Sequence, residues 1–129
     1  WLEKNEKNKL AKTKYFLTCK DWLRFKLTNT INNDFTERAV GPGNIYTGEL
    51  SEKIFKLLKL NIKNFKKFPT IKNSDEIAGY ITKSASSMTG IKEDTPVIIG
   101  AGDVPATAIG VGAIKNGITS TIIGTTCHN

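Results

Sequence analysis

Apolar and polar positions divide the chain into short elements. WLEKNEKNKLAKT is polar and helix-compatible, with Leu2 and Leu10 as its apolar anchors. KYFLT follows as a short apolar run of the kind that can form a buried strand. In TCKDWLRFKLT, Thr18 and Asp21 stand at capping-box spacing ahead of Trp22, Leu23, Phe25 and Leu27. A helix of about two turns should begin there, with Trp22 and Phe25 in the core. NTINNDF is turn-rich, and so is VGPGN around Pro42. ELSEKIFKLLKLN has the clearest amphipathic pattern, with Leu50, Ile54, Leu57 and Leu58 on one stripe. Ser51 is a fair N-cap for it, and Glu52 sits near the positive end of the helix.

FPTI and IAGYIT read as extended, and KSASSMTGI as a short helix closed by Gly90. Pro96 precedes VIIGAGD, a continuous apolar run that suits a strand covered on both faces. VPATAIGVGAI reads as a helix, and STIIGTT as a strand ending in a turn. Helices mixed with apolar strands favour an α/β or α+β core. Only KNGIT, at 115–119, resembles a linker.

Composition narrows the partners. A length of 129 residues suggests one domain, and 39% hydrophobic content suffices for a small core. The net charge of +7 and pI near 9.5 raise nucleic acid as a partner. The lysines are scattered, however, and no aromatic residues alternate with them as stacking platforms. They read as a solvated surface, so no nucleic-acid partner is expected. Cys19 and Cys127 lie far apart without a CxxC motif, which fits a reducing, cytoplasmic setting. Cys127 and His128 are too few ligands for a metal site. No apolar run reaches membrane-spanning length. The chain starts without methionine and without a signal-peptide pattern, and it is expected to be an internal piece of a longer protein.

Candidate chemistry lies in the last third. Asp103 follows a predicted strand and precedes a predicted helix, the place where α/β sheets collect ligands. Gly100 and Gly102 permit a tight turn there, and Pro105 suits the first turn of a helix. A carboxylate at a helix N-terminus is stabilised in its charged form, and can take a proton from an attacking hydroxyl. The competing reading is simple helix capping, for which aspartate is a favoured residue. The turn GTT at 124–126 could offer backbone N–H groups and hydroxyls to phosphate, although it lacks the lysine of a P-loop. Gly110 and Gly112, read as helical, would each cost roughly 1 kcal/mol against alanine. Close packing against another backbone would offset that cost.

Three segments together resemble the FGGY family of carbohydrate kinases, within the actin-like ATPase superfamily. FLTCKDWLRFKLTN is similar to the family's D-[YW]-L and L-T-G stretch, with Asn29 in the glycine position. DFTERA resembles the D-x-[ST]-x-[AS] stretch that follows. The run from IAGYIT to IIGTT matches the family's order of weak motifs, including gtPV, GxxD and GT[ST].

The resemblance implies an α/β fragment of an actin-like (ribonuclease H-like) fold. Residues 1–117 would be the late part of the N-terminal lobe, ending in the interlobe helix. Residues 118–129 would be the first strand and phosphate turn of the C-terminal lobe. Asp103 matches the catalytic base that deprotonates the sugar hydroxyl. Gly124, Thr125 and Thr126 match the contacts to nucleotide phosphates. Val104 stands where many members place Asn or Gln against the substrate. ATP and Mg2+ are the implied cofactors, and the implied substrate is a pentulose such as xylulose, with a polyol as the alternative. A homodimer is compatible with the likeness. The family's D-x-G-[TS] phosphate loop is absent, so this segment alone should not catalyse transfer. Asp34 and Glu37 lie in a family-like stretch, where a surface or helix-cap role is expected over substrate contact.

The charge reading has a direct check. A nucleic-acid module binds with an affinity that falls steeply with salt. The chain is expected to show no salt-dependent retention on immobilised DNA or RNA, and such retention would restore a nucleic-acid partner.

Overall fold

A computed structural model describes residues 1–40, 43–124 and 127–128. The helix-compatible N-terminus forms two short helices, α1 (Leu2–Asn5) and α2 (Lys7–Lys12), broken at Glu6. Leu10 is buried and Leu2 is exposed, so only one of the two expected anchors is used. KYFLT forms no strand. Its Phe16 N–H donates to Lys67 O at 3.0 Å, and its ring meets Phe65 at 5.8 Å and Phe68 at 5.3 Å. Aromatic packing rather than a ladder holds this segment.

α3 (Cys19–Thr28) begins as expected: Thr18 Oγ accepts from Asp21 N–H at 3.3 Å. It ends at Asn29, whose φ of 59° supplies the left-handed cap that glycine usually provides. Asparagine tolerates that conformation, which accounts for its presence in the L-T-G position. The buried face of α3 differs from expectation. Trp22 is 54% exposed, Leu23 is also exposed and Phe25 half-buried, while Asp21, Arg24 and Thr28 are buried. The spacing of those three is helical, but the stripe is polar because Arg24 has backbone carbonyls to reach beneath it.

β1 (Asn33–Asp34) leads directly into α4 (Phe35–Val40). It lies in a stretch expected to be turn, yet pairs in parallel with β2 (Ile71–Lys72), Asn33 opposite Ile71 and Asp34 opposite Lys72. α5 (Glu52–Leu57) is shorter than its pattern suggests and buries Phe55, leaving Leu57 82% exposed and Leu58 exposed. Phe55 packs on Phe65, 5.2 Å between centroids, and this contact sets the helix rotation in place of the leucine stripe. Ser51 is the N-cap residue, but its side chain makes no capping hydrogen bond. A 3-10 turn at Ile62–Phe65 follows.

β3 (Ile77–Tyr80) and β4 (Pro96–Ile98) form an antiparallel pair, with Tyr80 opposite Pro96. Between them α6 (Lys83–Thr89) starts at Thr82, whose Oγ1 accepts from Ala85 N–H at 3.2 Å, and stops at Gly90 with φ 76°. α3 lies across the hairpin so closely that a Cβ on Gly79 would come within 3.0 Å of Thr28 Cβ. The core here is Ala78, Ile81, Ala85 and Ile99. β4 is not covered on both faces: Ile98 is exposed while the next residue, Ile99, is 1% exposed.

α7 (Asp103–Gly110) buries no residue. Gly110 is its last residue and Gly112, with φ 77°, lies beyond it, and a Cβ on either would meet nothing within 4 Å. Among the described residues no backbone packs against either glycine. Gly112 supplies a left-handed turn. β5 (Ile122–Ile123) and β6 (Cys127–His128) form a final antiparallel pair.

Ile99 joins the hairpin core to the segment that leads into α7. Ile99→Ala is expected to destabilise the protein by about 2–5 kcal/mol, read as a lower urea midpoint at unchanged slope.

Candidate functional site

The segment 99–103 leaves β4 and enters α7. Gly100 has φ 73°, a conformation that side-chain-bearing residues rarely adopt, so this turn requires glycine. Gly102 is the N-cap residue of α7 and Asp103 its first residue. The capping reading of Asp103 thus misses by one position. Its Oδ1 accepts from the adjacent Val104 N–H at 2.8 Å, and the side chain stays exposed.

Asp103 lies on an open cleft of about 1020 Å3, lined by Thr18, Cys19, Lys20, Thr36, Glu37 and residues 101–105. Val104 also lines this cleft. α3 brings Thr18, Cys19 and Lys20, α4 brings Thr36 and Glu37, and the β4–α7 turn brings Asp103. Of the turn expected to meet phosphate, Gly124 is exposed just past β5 and is not among the residues that line the cleft. Thr125 and Thr126 fall outside the described residues. A second, smaller cleft of about 320 Å3 separates α7 from residues 118–122, with Ala108 and Ala113 on its wall.

Beneath the first cleft lies a network of charges. Asp34 is fully buried. Its Oδ1 accepts from Thr36 N–H at 2.8 Å, from Glu37 N–H at 3.2 Å and from the Thr36 hydroxyl, and its Oδ2 is ion-paired to Lys20. Asp34 thus caps α4, the role expected for it, though from the interior and not the surface. Lys20 also donates to Gly100 O at 3.0 Å. Asp21 is paired to Arg24 at 2.7 Å and accepts from Asn33 Nδ2 at 2.5 Å. Arg24 donates to Ile99 O and to Asn32 O, each at 2.6 Å. Burial opposes ionisation of Asp34, but the bonds from Lys20, Thr36 and the Glu37 N–H outweigh it, and its carboxyl is held below the usual aspartate range.

Carboxylate oxygens of Asp21, Asp34 and Glu37 lie within 4.8 Å of one another, a spacing that a cation could bridge. Arg24 and Lys20 already neutralise two of the three. Mg2+ prefers oxygen ligands and retains several waters, and this enclosed, cation-paired set does not suit it. Among the described residues the site offers no fitting Mg2+ cage. Lys20, Thr36 and Arg24 went unnoticed in the sequence because their partners on the 99–102 turn are 66 to 80 residues away. No local pattern announces such pairs.

The family model for the FGGY family of carbohydrate kinases, N-terminal domain, matches residues 1–110. The chain is 30% identical over 126 residues to the probable L-xylulose kinase of Pasteurella multocida, which covers 97% of this chain and 26% of that protein. It is 31% identical over 110 residues to the autoinducer-2 kinase of Enterobacter sp., covering 81% of this chain and 19% of that one. Among solved structures it is similar to the ligand-bound xylulose kinase of Lactobacillus acidophilus, with a TM-score of 0.69 and 29% identity, covering 88% of this chain and 23% of that one. The chain therefore spans about a quarter or less of the length of these relatives. The expected α/β, actin-like fold agrees with this structural likeness. Among the described residues no helix is long and apolar enough to cross a membrane.

Asp34 links pH to stability. A carboxyl with a folded pKa below its unfolded value, about 3.9, stabilises the fold above that value. The contribution is lost as pH falls through the folded pKa. Asp34→Asn is expected to cost about 1–3 kcal/mol near neutrality, because it removes the charge that Lys20 and the Thr36 hydroxyl bond to. It should also flatten the decline of urea stability below about pH 4.

Proposed function

This chain belongs to the FGGY family of carbohydrate kinases, and from that premise we propose that it forms part of an enzyme that transfers the γ-phosphoryl group of ATP to a hydroxyl of a sugar. The observation that carries the proposal is the placement of Asp103: an exposed carboxylate at the start of α7, one residue past the N-cap Gly102, on a cleft large enough for a monosaccharide. The helix N-terminus stabilises negative charge there. In the proposed reaction the substrate hydroxyl donates its proton to Asp103 as its oxygen attacks the γ-phosphorus, and the bond from that phosphorus to the bridging oxygen of ADP breaks.

A pentulose such as xylulose is the favoured acceptor, since the similar proteins include kinases named for L-xylulose and xylulose. A polyol is the runner-up. Val104 lines the cleft beside Asp103 and offers no side-chain hydrogen bond. A hydroxyl buried against it would be left unpaired at about 1–3 kcal/mol, which favours an acceptor whose carbon skeleton faces that wall. Residues 1–117 would belong to the N-terminal lobe and 118–129 would open the C-terminal lobe. Gly124, Thr125 and Thr126 would then present N–H and hydroxyl groups to the nucleotide phosphates. Mg2+ would accompany those phosphates and screen their charge.

In the full-length protein, Asp103→Asn is expected to lower kcat by about 100-fold to 10,000-fold, while ATP affinity measured by calorimetry stays within about twofold. Turnover close to wild type would remove Asp103 as the base.

A further inference from the structure

Three side chains from two helices bond to the backbone just ahead of Asp103. Arg24 holds Ile99 O at 2.6 Å, Lys20 holds Gly100 O at 3.0 Å, and Thr36 Oγ1 accepts from Gly102 N–H at 2.7 Å. The Thr36 contact differs from the others in two respects. It acts on the residue adjacent to Asp103, and it takes up the N–H of the α7 N-cap residue. Its hydroxyl is also committed at both ends, because it donates to the buried carboxylate of Asp34. The same carboxylate accepts from the Thr36 N–H at 2.8 Å, so both the backbone and the side chain of Thr36 are oriented by one fixed group. Gly102 approaches closely: an added Cβ would lie 3.3 Å from Thr36 Oγ1 and 3.6 Å from Glu37 Cγ.

We propose that Thr36 is a positioning residue for Asp103, its hydroxyl passing the fixed orientation of buried Asp34 to the Gly102 N–H and so setting the direction in which α7 presents the carboxylate to the cleft. This rests on the reading of Asp103 as the base. Among the described residues α7 buries none of its own side chains, and the contacts that fix its start are the three tethers on the turn at 99–102. A displacement of about 1 Å at a reacting group can cost on the order of 100-fold in rate. Removal of a hydroxyl that neither touches the reacting atoms nor carries charge can therefore reduce turnover.

The test compares Thr36→Val, Thr36→Ser and Asp103→Asn in the full-length protein, with steady-state kinetics on a ketopentose and ATP at a temperature where circular dichroism shows each variant folded. Thr36→Val is expected to lower kcat by about 10-fold to 100-fold with both KM values within about twofold, and Thr36→Ser to restore most of it. Wild-type kcat in Thr36→Val overturns the proposal, and so does a raised sugar KM at unchanged kcat, which would make Thr36 a substrate contact. Failure of serine to rescue also overturns it. If Thr36→Val does not fold, Thr36→Ala takes its place under the same criteria. Near-normal turnover in Asp103→Asn sinks the base reading and this inference with it, whereas loss there with normal Thr36→Val sinks this inference alone.

Discussion

The buried carboxylate of Asp34 is the constraint on which the site depends. It has no exposure to solvent, so its charge must be met by the protein, and Lys20, the Thr36 hydroxyl and two backbone N–H groups meet it. The two side-chain partners each have a second commitment. Lys20 reaches the carbonyl of Gly100, and Thr36 receives the N–H of Gly102. A group that starts α4 thereby also determines where the β4–α7 turn lies. Asp21 and Arg24 repeat the arrangement one turn along α3, with Arg24 extended to the carbonyls of Ile99 and Asn32.

Such a network is a costly way to join elements. Taking charges out of water carries a penalty that attraction repays only when the remaining hydrogen bonds are also satisfied. An apolar contact in the same place could hold α3 against the hairpin with less risk. What apolar packing cannot do is specify direction: a carbonyl at 2.6 Å from a guanidinium has one orientation, while methyl groups slide. The polar stripe of α3 therefore suits the support of a site more than the filling of a core. The apolar packing lies elsewhere, in the aromatic group of Phe16, Phe55, Phe65 and Phe68 and in the small hairpin core around Ile81 and Ala85.

Local signals were legible where the physics is local. The Thr18 cap, the short KSASSMT helix closed by Gly90 and the extended start of IAGYIT each depend on residues within one or two turns of chain, and the structure contains all three. The patterns that failed depend on what lies opposite. KYFLT looks like a strand until aromatic rings from residues 65 and 68 claim Phe16. The leucine stripe of α5 gives way to Phe55 for the same reason. Trp22 has the composition of a core residue, yet it faces outward because Arg24, two positions on, takes the inward face.

The sequence by itself determined the family, the order of most elements and a carboxylate, Asp103, between a strand and a helix, because motif spacing and capping are properties of neighbouring residues. Only the tertiary structure decided that Asp103 opens α7 one residue past the N-cap, that it shares a cleft with Lys20 and Thr36, and that a buried Asp34 stands behind them. Those relations join residues as far as 80 positions apart. Chain folding brings such pairs together, and no periodicity along the chain records them.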